Sequence, residues 1–174
     1  MASLLPHLES RAWRGHVIQV AKGPLARTFQ KSFGDLLIAT GPGSAASVEV
    51  KVQRRWTGNA WLETWSNKNL DHRGSHVERG STPGWLVTCR ADVLAFHFLD
   101  LDTVHFLPLF RLQQWAFGTD DRPGRVYDFP ERRQRRYAQP NDSWGRIVPM
   151  EVLAREVGTK RATMRQGDLW GRGR

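Results

Sequence analysis

Residues 34–53 read GDLLIATGPGSAASVEVKVQ, and the way this stretch folds decides how the rest of the chain is read. The apolar run that starts at Asp35 has the length and composition of a buried strand. GPGSAAS at 41–47 opens with two glycines around a proline, so it reads as a turn. From Val48 onward the pattern alternates, with Val48, Val50 and Val52 on one face and Glu49, Lys51 and Gln53 on the other. A hairpin is therefore expected. It brings the start of one arm, Asp35, close to Glu49 on the other, across thirteen intervening residues. A charge pair on the solvent face of a half-buried strand is the plainer reading of Glu49 and Lys51. What surrounds the hairpin decides whether that reading suffices.

Before it, SLLPHLESRAWRG at 3–15 has the spacing of a short helix, and HVIQVA at 16–21 either extends that helix or forms a strand. PLARTFQKSF at 24–33 reads as a helix with Pro24 in its first turn. After it, NAWLETW at 59–65 is a third strand, and residues 66–84 form a polar loop or short helix. GWLVTCRADVLAFHFLD supplies one or two more strands, with a turn at Leu99–Asp102. TVHFLPL is the next strand, and FRLQQWAFG is a helix. NDSWGRIVPMEVLAREVG gives a strand at Arg146–Val148 and a short helix, and the last residues form a loose terminus. Helices and strands interleaved in this way predict an α/β (α+β) fold around a mixed central sheet. A composition change near residue 118 suggests a core over 1–118 and a basic C-terminal extension over 119–174, packed partly on that core.

The chain has 174 residues and 40% hydrophobic content, enough for a well-buried core. Its single cysteine, Cys89, excludes an internal disulfide and any cysteine-based zinc cluster. It lies in apolar sequence and reads as a buried, inert thiol, in keeping with a reducing cytoplasm. The longest apolar region, VLAFHFLDLDTVHFLPLF, carries two Asp, two His and a Pro, so no membrane span is expected. The start of the chain has no secretory pattern. The formal net charge is +9, from 26 Lys and Arg against 17 Asp and Glu, which favours a polyanionic partner, nucleic acid first.

Two carboxylates on neighbouring strands can converge on a hard cation. Magnesium accepts one or two carboxylates and completes its shell with water and substrate phosphate. Lys51, on the same face as Glu49, can hold the attacking water or offset charge building on a phosphate. GDLLIATGPGSAASVEVK resembles the PD-(D/E)XK nuclease superfamily, which includes restriction enzymes, phage nucleases and Holliday junction resolvases. Asp35 matches the first acid, Glu49 the second and Lys51 the lysine, while Gly34 stands where that pattern often has proline. The likeness spans about residues 24–100 and continues through TGNAWLETWSN and GSTPGWLVTCRADVLAFHF in the order of small phage-type members. It implies a restriction-endonuclease-like core and hydrolysis of DNA to 5′-phosphate and 3′-hydroxyl ends, with flapped or branched DNA as a target. It implies magnesium, with manganese as a substitute, and a bacterial or phage-infected cytoplasm.

On this reading Asp35, Glu49 and Lys51 are catalytic, and the metal ligands are Asp35, Glu49 and the Val50 carbonyl. Glu63, which shares a face with Trp61 and Trp65, is either an edge residue in water or a further acid beside the metal. Glu9 is a weaker helical candidate. Gln53, Arg54, Arg55 and Trp56 leave the active strand and would meet DNA, the arginines clamping phosphate and the indole stacking on a base. Lys68 and Arg73 in the polar loop, and Arg132, Arg133, Arg135 and Arg136 in the run ERRQRR, would track the backbone as an arm that orders on DNA. His72 and His76 have helical spacing but no third ligand. His97 and His105 read as satisfied core or interface histidines, and Asp92 as a structural anchor. An isologous dimer suits an enzyme that cuts two strands. The competing reading is a non-catalytic nucleic-acid-binding module, or an accessory subunit of a recombination or packaging complex, with Glu49 and Lys51 as a structural pair.

Overall fold

The computed structural model describes residues 16–19, 34–70, 80–134 and 142–163. The expected helices at 3–15 and 24–33, with Glu9, lie outside them, as do Arg73, His72, His76, Arg135 and Arg136. The described residues divide into two compact units. Those of Met1–Thr57, Arg90–Phe110 and Gly158–Arg174 form the first, and Gly58–Cys89 with Arg111–Val157 form the second.

In the first unit, β1 (His16–Gln19), β2 (Leu36–Gly41) and β3 (Ser44–Gln53) run antiparallel in sequence. The expected hairpin is present, but its turn is only Pro42-Gly43. Gly43 has φ of 70°, the conformation that a Pro-Gly type II turn needs at its second central residue. Such a tight reversal leaves the small residues Ser44–Ser47 free to lengthen the strand. β6 (Val93–Phe98) lies parallel to β3, and β7 (Thr103–Pro108) returns antiparallel to β6 through the expected turn at Leu99–Asp102. β12 (Lys160–Thr163) closes the row β1-β2-β3-β6-β7-β12. The terminus expected to be loose thus includes a strand, whose backbone pairs with β7 from Lys160↔Phe106 to Thr163↔Thr103.

The register puts every second residue of these strands on one face. Leu36, Ile38, Val48, Val50, Ala95, Val104 and Phe106 are buried there as one cluster, with Val93 and Ala162 against it. Each fully buried Leu, Ile, Val or Phe contributes roughly 1.5–3 kcal/mol. Val52 departs from its neighbours, being 46% exposed near the strand's end.

The second unit holds β4 (Asn59–Asn67), β5 (Thr82–Pro83), β10 (Glu131–Arg133) and β11 (Trp144–Pro149) in the order β10-β11-β4-β5. A small hairpin joins β8 (Gly118–Thr119) to β9 (Arg122–Pro123). Its helices are α1 (Trp85–Thr88), the body of α2 (Leu109–Phe117) and α3 (Met150–Glu156). GWLVTC, expected as strand, is a helical turn: Gln113 Nε2 donates to the Leu86 and Cys89 carbonyls at 3.0 Å each, satisfying groups that would otherwise seek a strand partner. Cys89 is buried. The expected boundary at residue 118 does not coincide with the division observed, because β11 pairs with β4 and β12 with β7. The fold is mixed α/β (α+β), a mixed multi-stranded sheet with a few short helices. Among the described residues no helix is long and apolar enough to cross a membrane.

Candidate active site

β2 begins at Leu36, opposite Val48, so the edge of β3 beyond that point has no β2 residue to pair with. Asp35 occupies this gap. Its backbone N–H donates to the Val48 carbonyl at 2.9 Å, and its Oδ2 accepts from the Val50 N–H at 2.9 Å. The carboxylate thus replaces the next rung of the ladder. In an extended strand the N–H and C=O of one residue point to the same side. The Val50 carbonyl therefore faces the edge on which Asp35 sits. Gly34 makes this approach possible: its φ is 74°, and a Cβ there would lie 2.8 Å from the Val48 oxygen and 3.0 Å from the Glu49 nitrogen. Glycine is a steric requirement of this corner.

Glu49 and Lys51 project from the other face of β3. Their side chains meet at 2.5 Å, Nζ to Oε1, and both are partly buried, Glu49 more deeply. Asp35, Glu49, the Val50 carbonyl and Lys51 so gather on three consecutive residues and the corner beside them. Among the described residues no group of three or more His, Cys, Asp or Glu side chains stands together as a metal cage. Two carboxylates and a carbonyl are enough for a magnesium ion that keeps several waters. Comparison with known proteins finds no family model, no curated protein and no solved structure that matches the chain.

The same face continues beyond Lys51. Gln53 is half-buried, and its Nε2 is enclosed with no hydrogen-bond partner. Arg54 and Arg55 follow in a bend, both exposed. Trp56 then folds back over the sheet. Its backbone N–H is held by both Asp100 carboxylate oxygens, at 2.9 and 2.8 Å. Its ring meets Phe98 edge-on at 4.6 Å and stacks on His105 at 5.4 Å, the latter pair 10° from parallel. His105 is buried, and neither ring nitrogen has a partner. Burial pushes its pKa below the ordinary histidine value, and the positive charge of Arg161 adds to the shift. His105 is therefore not the satisfied core histidine that was expected. His97 is, with Nε2 3.1 Å from Asp102 Oδ1. Asp92 is the anchor its sequence suggests, accepting from the Ser47 N–H at 2.7 Å and the Ser47 hydroxyl at 2.8 Å.

Three expectations change. Glu63 lies on β4 of the second unit rather than on the sheet that carries Asp35 and Glu49. Its Oε1 accepts from the Ser66 hydroxyl at 2.8 Å and the Trp85 N–H at 3.4 Å, so it is committed to local structure. Lys68 already has a carboxylate partner: its ammonium sits 2.5 Å from Glu131 Oε2 and over the Trp144 ring, because β10 brings that carboxylate to it. Arg133 belongs to β10 and pairs with Asp142, so this half of the basic run is a strand rather than an unstructured arm. Arg132 beside it is exposed. Sequence reasoning missed the support beneath Trp56. The only signal was LDLD at 99–102, a turn with two acids, one of which grips Trp56 and the other His97.

Proposed function

We propose that the chain is a metal-dependent DNA endonuclease with Asp35, Glu49 and Lys51 at its centre. The observation that supports this reading best is the hydrogen bond from the Val50 N–H to Asp35 Oδ2, which fastens the first acid to the middle of the Glu49-Val50-Lys51 run. Asp35, Glu49 and the Val50 carbonyl would hold magnesium, or manganese in its place, with water and a phosphate oxygen completing the shell. When bound, such an ion supplies positive charge against the scissile phosphate and makes water easier to deprotonate. Lys51 orients that water and offsets charge on the phosphate as it builds. Arg54 and Arg55 hold flanking phosphates and so fix the strand's register. The water oxygen adds to phosphorus, the bond to O3′ breaks, and O3′ takes up a proton, leaving 5′-phosphate and 3′-hydroxyl ends. A bacterial or phage-infected cytoplasm is the setting we infer, and an isologous dimer would let two copies cut both strands.

One observation favours a second reading. The 2.5 Å Glu49–Lys51 pair would equally suit a nucleic-acid-binding module that does no chemistry. Cleavage and thermal stability separate the two. The purified protein should cut DNA with magnesium or manganese and not with EDTA, and Asp35→Asn or Glu49→Gln should abolish cutting. Manganese at ten times its Kd should stabilise the wild type by about 1.4 kcal/mol, because it binds the folded state alone, and should leave Asp35→Asn unmoved. Lys51→Ala should lose cleavage and keep the metal response. A wild type that neither cuts nor responds to metal leaves the binding module.

A further inference from the structure

Trp56 is fixed more firmly than a surface residue needs to be. Asp100 holds its backbone, Phe98 meets the ring at right angles, and His105 stacks on it. Yet the residue remains 36% exposed. Among the described residues no aromatic ring besides Phe98 and His105 meets the indole. An aromatic ring locked in place gives up little entropy when something stacks on it.

The platform's position can be read from the register. Lys51 pairs with Phe96, and Phe96 with His105, so these three side chains form a row across one face of the sheet. Neighbouring strands lie about 4.8 Å apart, which puts His105, and the indole above it, roughly 10 Å from Lys51. That distance corresponds to a few nucleotides of one strand. Arg54 and Arg55, exposed and making no ion pair with a described residue, stand in the chain between the two places and suit the intervening phosphates.

We propose that Trp56 is a stacking platform for one unpaired nucleobase, which makes the substrate a DNA strand with a nucleotide out of its duplex beside the bond that is cut. This rests on the nuclease reading above and narrows its substrate. A base inside a duplex has both faces covered by its neighbours and offers nothing to the indole. A base in a single-stranded tail, a flap or a junction arm offers a free face, and stacking on it tolerates any sequence.

The test uses a duplex with a single-stranded tail that carries 2-aminopurine at the tail position next to the duplex, bound in EDTA so that nothing is cut. Wild-type protein should quench the probe. Trp56→Ala should bind the tailed DNA about tenfold more weakly without quenching it, and should bind blunt duplex within twofold of wild type. Trp56→Phe should keep most of the quenching. Trp56→Met, which still covers Phe98 and His105 but has no aromatic face, should lose it, and this pair decides the matter if the alanine variant does not fold. Equal losses on tailed and blunt DNA, or quenching that survives in Trp56→Met, overturn the proposal. Wild type that quenches the probe but cuts no DNA with magnesium or manganese upholds the platform and removes the nuclease reading. Wild type that cuts tailed and blunt DNA alike and leaves the probe bright removes the platform and keeps the nuclease.

Discussion

His105 is a buried imidazole with two unpartnered nitrogens, an arrangement that folding does not favour for its own sake. Its ring supports Trp56 from below, and a stacked, desolvated imidazole does this best when neutral. Burial first, and then Arg161, lower its pKa from the ordinary value of 6.5. The sign of the consequence follows from linkage. Above pH 6.5 the ring is neutral in both the folded and unfolded chain, and stability is at its full value. Below it, the unfolded chain takes up a proton that the folded one refuses. Stability therefore falls as the pH drops from there towards the depressed folded pKa. His105→Phe keeps a ring under Trp56 and removes the titration. Between pH 7 and pH 5.5 the wild-type Tm should fall further than that of His105→Phe. Parallel curves for the two proteins would mean that His105 takes up its proton as easily folded as unfolded.

The seam between β3 and β6 is, among the described residues, the one parallel pairing in the first sheet, and it joins the strand of Glu49 and Lys51 to the rest. Asp92 clips its start, accepting from the N–H and hydroxyl of Ser47, and Ser47 is buried. Asp92→Ala leaves both donors unsatisfied and should cost about 2–4 kcal/mol, since hydrogen bonds to a charged acceptor are worth about 1.5–3 kcal/mol each and are not additive. Urea unfolding should register the loss as a lower midpoint at unchanged slope. A midpoint within error of wild type would mean that the backbone pairing alone holds the seam. The hairpin, the turn at Leu99–Asp102 and the helix after β7 were legible because each is local: alternation, a Gly-Pro-Gly reversal and an apolar helical stripe are written in neighbouring residues. The helical turn of α1 was not, because what satisfies its carbonyls is Gln113, more than twenty residues away. The same holds for β12, whose partner strand ends more than fifty residues earlier.

Over the whole molecule, a net charge of +9 says that a polyanion is welcome without saying where. The hairpin that places Asp35 beside the Glu49-Val50-Lys51 run was visible in sequence because it is short. The partners that hold Glu63 and Lys68, Trp85 and Glu131, were not legible because they come from remote segments of the second unit. The structure separates the cations into those already spent on carboxylates and those still available. Lys68 with Glu131, Arg133 with Asp142, and Arg125 and Arg155 with Glu156 belong to the first kind. Arg54 and Arg55 are exposed with no ion pair to a described residue. A cation that already faces a carboxylate releases little when a phosphate arrives, whereas an uncommitted one displaces a counterion from the DNA. Each such contact contributes about 0.7–0.9 to the slope of log K against log salt. Arg54→Ala with Arg55→Ala should therefore flatten that slope by about 1.4–1.8, the lower figure for contacts to single strand and the higher for contacts to duplex. Lys68→Met should leave the slope unchanged and lower the melting temperature instead, because it removes the 2.5 Å partner of Glu131 and leaves that carboxylate only Arg146, at 3.6 Å. Binding isotherms from 50 to 200 mM salt would measure both, and a slope that responds to Lys68→Met as strongly as to the double arginine variant would return the basic contacts to the second unit.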